Sequence, residues 1–199
     1  MKLFYSPGAC SFAPHILLCE TGLPYDLERV DLGRHQTAGG EDFFAINPKG
    51  SVPVLQLDSG EYLTEGPVIA QYICDTAERR DLMPAAGTLA RYQVMEWLNY
   101  LSSEIHKSFS PLFNPALDAA AKGAFIQALV KKLGWVSAQL ARQPYLAGKD
   151  FSAADAYLFT VAGWAPYTGV DISALQPLQD YLARIAERPA VKAARKAEA

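Results

Sequence analysis

Lys2-Leu3-Phe4-Tyr5-Ser6-Pro7-Gly8-Ala9-Cys10-Ser11-Phe12 opens the chain as a short apolar strand, a Pro-Gly turn and the start of a helix. The helix is read over residues 11–21, with Phe12, Ile16 and Cys19 or Glu20 at helical spacing. Gly22 stands just past its end, where a left-handed residue is favoured. A second strand over 25–31 makes the unit β-α-β, and such a crossover implies a parallel pair. Residues 33–40 are polar and glycine-bearing and read as a loop; 41–45 read as one helical turn closed by Asn47-Pro48-Lys49-Gly50. A third strand over 52–57 carries Pro53 near its start, and Asp58-Ser59-Gly60 turns it back into Glu61-Tyr62-Leu63, a hairpin. A helix over 65–78 follows.

Beyond residue 80 the punctuation changes to long helical periods. Residues 79–87 are read as connecting chain, with 81–87 as the linker proper. Val94, Leu98, Leu101, Ile105 and Phe109 then form one apolar stripe of a long helix that Pro111 ends or bends. Further helices are read over 118–142, from Phe151-Ser152-Ala153-Ala154-Asp155 to Pro166, over 175–187 and over 190–197; Ser152 and Asp155 have the spacing of a capping box. The expected organisation is an α/β domain over 1–80 and an all-α domain over 88–199. The charges agree with a division there: 6 Lys and Arg face 11 Asp and Glu before residue 81, and 12 face 10 after it.

At 199 residues, half of them apolar, the chain is long enough to bury a large core without staples. A net charge of −3 argues against a nucleic-acid binder. No apolar run approaches the roughly 18 residues of a membrane helix, and Pro7-Gly8 interrupts the N-terminus too early for a signal peptide. Three scattered cysteines, Cys10, Cys19 and Cys74, suggest reduced thiols and a cytoplasmic protein. The three histidines and three cysteines show no ligand spacing, so no metal is expected.

Four places could carry chemistry. Cys10 follows a strand and turn at the start of a helix, where free N–H groups favour an anion and lower a thiol pKa. The other reading of such a cysteine is an inert buried thiol, which the strand-turn-helix context disfavours. Residue 13 is Ala, so no Cys-x-x-Cys cycle exists in this motif. Val52-Pro53 is a candidate cis bond that would turn the Val52 backbone toward an extended peptide; on local grounds alone a trans proline at a strand edge is the default. Thr64-Glu65-Gly66 opens a helix whose N–H groups could bind a carboxylate while a buried Glu65 takes an ammonium; plain capping is the simpler local reading. Asn99, Ser103 and His106 share a face of the long helix, with Lys107 adjacent, though a lone helical histidine is as readily structural. His15 and His35 are weaker candidates, and the aromatics default to core.

In this order the four signals resemble the cytosolic glutathione S-transferases, the bacterial beta class in particular. The resemblance runs through Tyr5–Ser11, Asn47–Leu55, Leu63–Gly66, Glu96–Asn99, Ser103–Lys107 and Phe151–Phe159, nearly the whole chain. It implies a thioredoxin-like N-terminal domain, an all-helical C-terminal domain, a homodimer and glutathione as co-substrate. Cys10 and the Ala9 backbone would face the glutathione sulfur. Val52, held by cis Pro53, would pair with the cysteinyl unit, and Glu65 with the Gly66 N–H would hold the γ-glutamyl end. Asn99 and Glu104 would reach glutathione across the dimer; His106 and Lys107 would lie near the thiol and the glycine carboxylate. Gly66 replaces a frequent Ser, and His35 a frequent Lys, leaving His35 as a pH-dependent carboxylate contact. Tyr5 occupies the place of the catalytic tyrosine of other classes. A hydrophobic electrophile would sit between domains against Phe109, Phe113, Trp164 and Tyr167. The activity implied is conjugation of the glutathione thiolate to such electrophiles. The rivals are disulfide exchange or reductive dehalogenation through a Cys10 mixed disulfide, and a non-catalytic ligand-binding dimer.

Overall fold

Strand β1 (Lys2–Tyr5) runs parallel to β2 (Asp26–Asp31), Lys2 opposite Asp26 and Tyr5 opposite Arg29, because helix α1 (Phe12–Thr21) returns the chain across the sheet between them. Gly22, at φ +70°, ends α1 through its N–H on the Leu18 carbonyl, as its place after the apolar period predicts. The loop expected over 33–40 holds a two-residue strand, β3 (Gln36–Thr37), antiparallel to Val30–Asp31. Two residues are too few to alternate visibly, so backbone pairing alone makes this strand. A single turn, α2 (Phe43–Ile46), precedes β4 (Val54–Gln56), which pairs antiparallel with β1 and with β5 (Tyr62–Thr64). Helix α3 (Gly66–Thr76) follows, and the sheet order is β3-β2-β1-β4-β5.

Residues 1–199 are all described by this computed structural model. They divide into two compact units, Met1–Arg80 with Pro189–Ala199, and Asp81–Arg188. In the first unit the sheet's period of two sends Phe4, Val30 and Val54 to one face, where they pack with Phe43 and Val52. Leu3 and Leu55 alternate to the other face, the side of α1 and α3, whose Ile16, Leu17, Ile69 and Ile73 are fully buried.

The second unit begins with α4 (Leu89–Tyr100), which passes into a π-helical stretch, Leu101–His106, then one α turn, α5 (Lys107–Phe109), and a 3-10 turn, Ser110–Phe113. The uniform helix expected here is therefore widened in its middle, and steps of four between Leu101, Ile105 and Phe109 suit the wider turn that keeps all three buried. Helices α6 (Ala119–Leu140), α7 (Ala153–Ala162), α8 (Ala165–Thr168) and α9 (Gln176–Ala186) complete the unit. Every residue of α7 is buried. The predicted capping box forms: the Asp155 carboxylate accepts from the Ser152 N–H at 2.8 Å and its hydroxyl at 2.7 Å.

Two expected boundaries are corrected. Residues 81–87 are not a free linker, since Leu82 and Met83 are buried and the Leu82 carbonyl accepts from the Ala153 N–H. The last helix, α10 (Pro189–Glu198), joins the first unit, where it packs on α1. An alanine-rich amphipathic helix specifies an apolar face but not its partner. No helix is long and apolar enough to cross a membrane.

Candidate functional site

In the first unit the loop after β1 is built to hold a thiol. Gly8 takes φ +73°, a left-handed conformation that costs a residue without a Cβ little. The buried Ser11 hydroxyl closes the loop, accepting from the Ser6 N–H at 3.2 Å and donating to the Ser6 carbonyl at 3.3 Å. Ser11 carried no role in the sequence reading; its signal was its place as N-cap residue of α1. Cys10 thus precedes the N-cap and lies outside the helix proper. It is half-buried and outside any disulfide, and its Sγ donates to the Val52 carbonyl at 3.1 Å.

Val52-Pro53 is cis, as expected. The Val52 carbonyl does not stand open, because the Cys10 thiol occupies it. Asn47 braces this segment through its side-chain N–H on the Ser51 carbonyl at 2.7 Å. Gly50, at φ +65°, lets the chain pass the Phe44 ring, where a Cβ would lie 2.6 Å from the nearest ring atom.

Glu65 departs from the sequence reading. It is exposed, not buried, and carries φ +69°, a strained value for a residue with a Cβ. Its carboxylate meets Lys49 Nζ at 2.6 Å, and Lys49 also donates to the Thr64 hydroxyl at 2.8 Å. Lys49 thus fills the ammonium place the sequence assigned to a ligand. Gly66 opens α3, with the Val68 and Ile69 N–H groups turned onto the Glu65 carbonyl. His35 sits at φ +51° with its ring 4.3 Å from that of Phe44, and its buried Nδ1 has no hydrogen-bond partner. Ala9 is half-buried beside the Phe4–Val54 cluster. Tyr5 belongs to the core, its ring 6.3 Å from that of His15.

His15, a weaker candidate from the sequence, is the most heavily engaged histidine of this unit. Completely buried, it meets Glu198 Oε1 of α10 at 2.8 Å through Nδ1 and the Tyr25 hydroxyl at 3.1 Å through Nε2; Cys19 Sγ lies 3.2 Å from the same hydroxyl. Burial disfavours its charge, but hydrogen bonds and negative charge from Cys19 and Glu198 outweigh it and raise its pKa to about 9.

The second unit contributes the π-helical stretch, a departure that frequently marks functional sites. Asn99 is exposed, and its carbonyl accepts from the Ser102 hydroxyl at 3.1 Å and the Ser103 hydroxyl at 3.0 Å. Ser103 is thereby turned back on its own helix. Glu104 pairs with Lys132 of α6 at 2.9 Å, and Lys132 also donates to the Ser108 hydroxyl. Lys107 is exposed. His106 Nδ1 lies 2.7 Å from the Tyr157 hydroxyl of α7, with its ring edge-on to Trp164 at 4.9 Å. Burial, then the charge of Lys107, brings His106 down to about 4, so it is neutral at pH 7.

Four aromatic candidates separate by exposure. Phe109 is fully buried and backs Trp164 at 5.6 Å. Trp164 is nearly buried, while Phe113 packs edge-on against it at 5.6 Å and is 53% exposed. Tyr167 on α8 is 85% exposed.

Comparison with known proteins bears on the whole chain. Residues 8–76 match the family model of the glutathione S-transferase N-terminal domain, and 114–193 that of the C-terminal domain. Glutathione S-transferase GstA of Escherichia coli O157:H7 is 44% identical over 198 residues, covering 100% of this chain and 98% of that protein. A sphingomonad glutathione S-transferase solved in complex with glutathione is 49% identical with a TM-score of 0.96, covering 100% of this chain and 98% of the other. The beta-class enzyme of Sphingomonas chungbukensis gives the same identity, score and coverage. With both family domains matched in order and likeness over its full length, this chain belongs to the glutathione S-transferase family and sits among the bacterial beta-class members.

Proposed function

We propose that the protein conjugates the thiolate of glutathione to small hydrophobic electrophiles. The observation that carries this reading is the Cys10 thiol seated on the Val52 carbonyl, because it brings a thiol and an extended peptide edge to one point. In this reading the Cys10 S–H leaves Val52 and donates to the glutathione sulfur, beside the Ala9 backbone. The Val52 backbone, held by Pro53, then pairs with the cysteinyl unit. Glu65 and the Gly66 N–H take the γ-glutamyl end, with Lys49 shifting from Glu65 toward the ligand's carboxylate. His35 meets the glycine carboxylate, supported by its unpartnered Nδ1. His106 hydrogen-bonds the sulfur and Lys107 adds positive charge. Lowering a thiol pKa by about two units takes about 3 kcal/mol, which a few such contacts supply.

The electrophile rests on Trp164 and Phe113, with Tyr167 at the edge and Phe109 behind. Asn99 and Glu104 reach the glutathione of a second copy in a homodimer; for Glu104 this requires release from Lys132. The test is conjugation to 1-chloro-2,4-dinitrobenzene together with calorimetric titration of glutathione. Binding with turnover supports the reading, and binding without turnover refutes conjugation.

A second reading rests on Cys10 being half-exposed and outside any disulfide. Its thiolate would attack a mixed disulfide of glutathione, taking the glutathionyl sulfur and expelling the other thiolate. A second glutathione thiolate would then release oxidised glutathione and restore Cys10. A crystal of the glutathione complex separates the two: a free Cys10 favours conjugation, a Cys10–glutathione bond the exchange.

A further inference from the structure

Cys19, His15, Tyr25 and Glu198 form one connected group of nucleophile, base and acid inside the first unit, apart from Cys10. Helix α1 supplies His15 and Cys19 one turn apart on one face, Tyr25 stands immediately before β2, and Glu198 ends α10. Cys19 Sγ lies 3.2 Å from the Tyr25 hydroxyl, that hydroxyl 3.1 Å from His15 Nε2, and His15 Nδ1 2.8 Å from Glu198 Oε1. His15 is completely buried and the Glu198 side chain nearly so, whereas Cys19 is only half-buried. The line of contacts thus runs from the interior outward and ends on a sulfur that small molecules can reach. Its protons have two complete arrangements. A carboxylate only accepts, so Nδ1 carries a proton in both. In one, the Cys19 S–H donates to the Tyr25 oxygen and the Tyr25 O–H to the Nε2 lone pair. In the other, Nε2–H donates to the Tyr25 oxygen and the Tyr25 O–H to a Cys19 thiolate. Moving two protons along the same contacts converts one into the other, and every donor keeps an acceptor. A nucleophile joined to a base that a third group orients is the arrangement that activates thiols.

We propose that Cys19 is a second reactive thiol of this protein, at which small disulfides form a reversible mixed disulfide, with His15 as its base through Tyr25 and Glu198 orienting that base. The inference is independent of the reaction that Cys10 serves. In the step, the Cys19 proton passes through Tyr25 to His15, and the thiolate attacks one sulfur of the disulfide. That S–S bond breaks, a new one forms to Cys19, and the other sulfur departs as a thiolate that takes up, through solvent, the proton Cys19 gave up. Cys19 is oxidised and the disulfide is reduced to one thiol. The relay works against its setting, because Cys19 lies in the last turn of α1, at the negative end of the helix dipole. Burial pushes the thiol up, as does the charge of Glu20, yet the hydrogen bonds from His15 and Tyr25 and the charge of His15 outweigh both and bring it below the ordinary thiol value. Once Cys19 is in a disulfide, His15 keeps only Glu198 to hold its charge, so α10 rests on α1 through a weaker contact.

The test treats the full chain with glutathione disulfide at pH 7 and times the modification of each cysteine by peptide mass mapping. Cys74 is fully buried and serves as the internal reference. Cys19 should gain one glutathionyl group at least about tenfold faster than Cys74, and a reductant should remove it. A Cys19 that stays unmodified, or that reacts only in step with Cys74, overturns the proposal. Tyr25→Phe keeps the ring and removes the relay. The rate at Cys19 should then fall by about tenfold, the order by which an unassisted thiol is less ionised at neutral pH, while Cys74 stays protected. An unchanged rate at Cys19 overturns the part given to Tyr25 and His15. If Cys74 becomes reactive, the variant has opened, and the ultraviolet absorbance of wild type against Cys19→Ser decides in its place. A thiolate signal at pH 7 that Cys19→Ser lacks is expected, and identical spectra overturn the proposal.

Discussion

Replacing Glu198 by Gln removes one charge from the buried pair with His15 while keeping the shape and an acceptor oxygen. The folded-state pKa of His15 is about 9 against an ordinary 6.5, because Cys19 and Glu198 overcome the cost of burial. A raised folded pKa means that the native state binds the proton more tightly. The stability contributed is full below pH 6.5 and is lost as pH rises through 9. Linkage puts that contribution at about 2.5 kcal/mol at pH 7 and about 0.2 kcal/mol at pH 9.5. Since Cys19 keeps part of its influence, Glu198→Gln should cost about 2 kcal/mol at pH 7 and under about 0.5 kcal/mol at pH 9.5. For a chain of this size that is about 4–8 °C in Tm at neutral pH. Urea unfolding of both proteins at one protein concentration and at both pH values reads the difference, and titrations common to both cancel. A destabilisation equal at both pH values would refute the ion-pair reasoning, as would a variant as stable as wild type at pH 7.

Cys10→Ala should retain conjugation within about a hundredfold, since one charge-assisted hydrogen bond is lost, and should abolish disulfide exchange; parallel assays of both reactions check it. Asp155→Ala should lower stability by about 3–5 kcal/mol, read from the urea midpoint, because it strips partners from the Leu146 and Ser152 N–H groups and the Ser152 and Tyr181 hydroxyls inside the core. Gly50→Ala should cost about 1–3 kcal/mol and raise the KM for glutathione, since its Cβ would press the Phe44 ring that stacks on His35. Light scattering at micromolar concentration should give a dimer, and a monomer would remove Asn99 and Glu104 from the ligand contacts.

Much of the fold was legible because it is local. The β-α-β opening, the hairpin at 58–60, the Gly22 stop and the Ser152–Asp155 box each follow from the preferences of a few adjacent residues. The cis Val52-Pro53 bond and the grouping around Cys10 were reached through resemblance, since local preference alone favours a trans proline. The errors share a cause. The π-helical widening at 101–106 leaves a stripe that fits an α-helix nearly as well, and packing of the helical unit selects between them. Burial of Leu82 and Met83 depends on α7, seventy residues away in sequence.

The sequence by itself determined the classes of element, the division near residue 80 and the short list of chemically capable residues, because these rest on period, turn chemistry and side-chain type. Partnership was decided only in three dimensions. Lys49 reaches Glu65 from 16 positions away, Tyr157 meets His106 from 51, and Glu198 enters the interior to charge His15 from 183. Each pair sets a charge or an orientation, and such properties depend on distance and burial, which hydrophobic spacing along the chain does not encode.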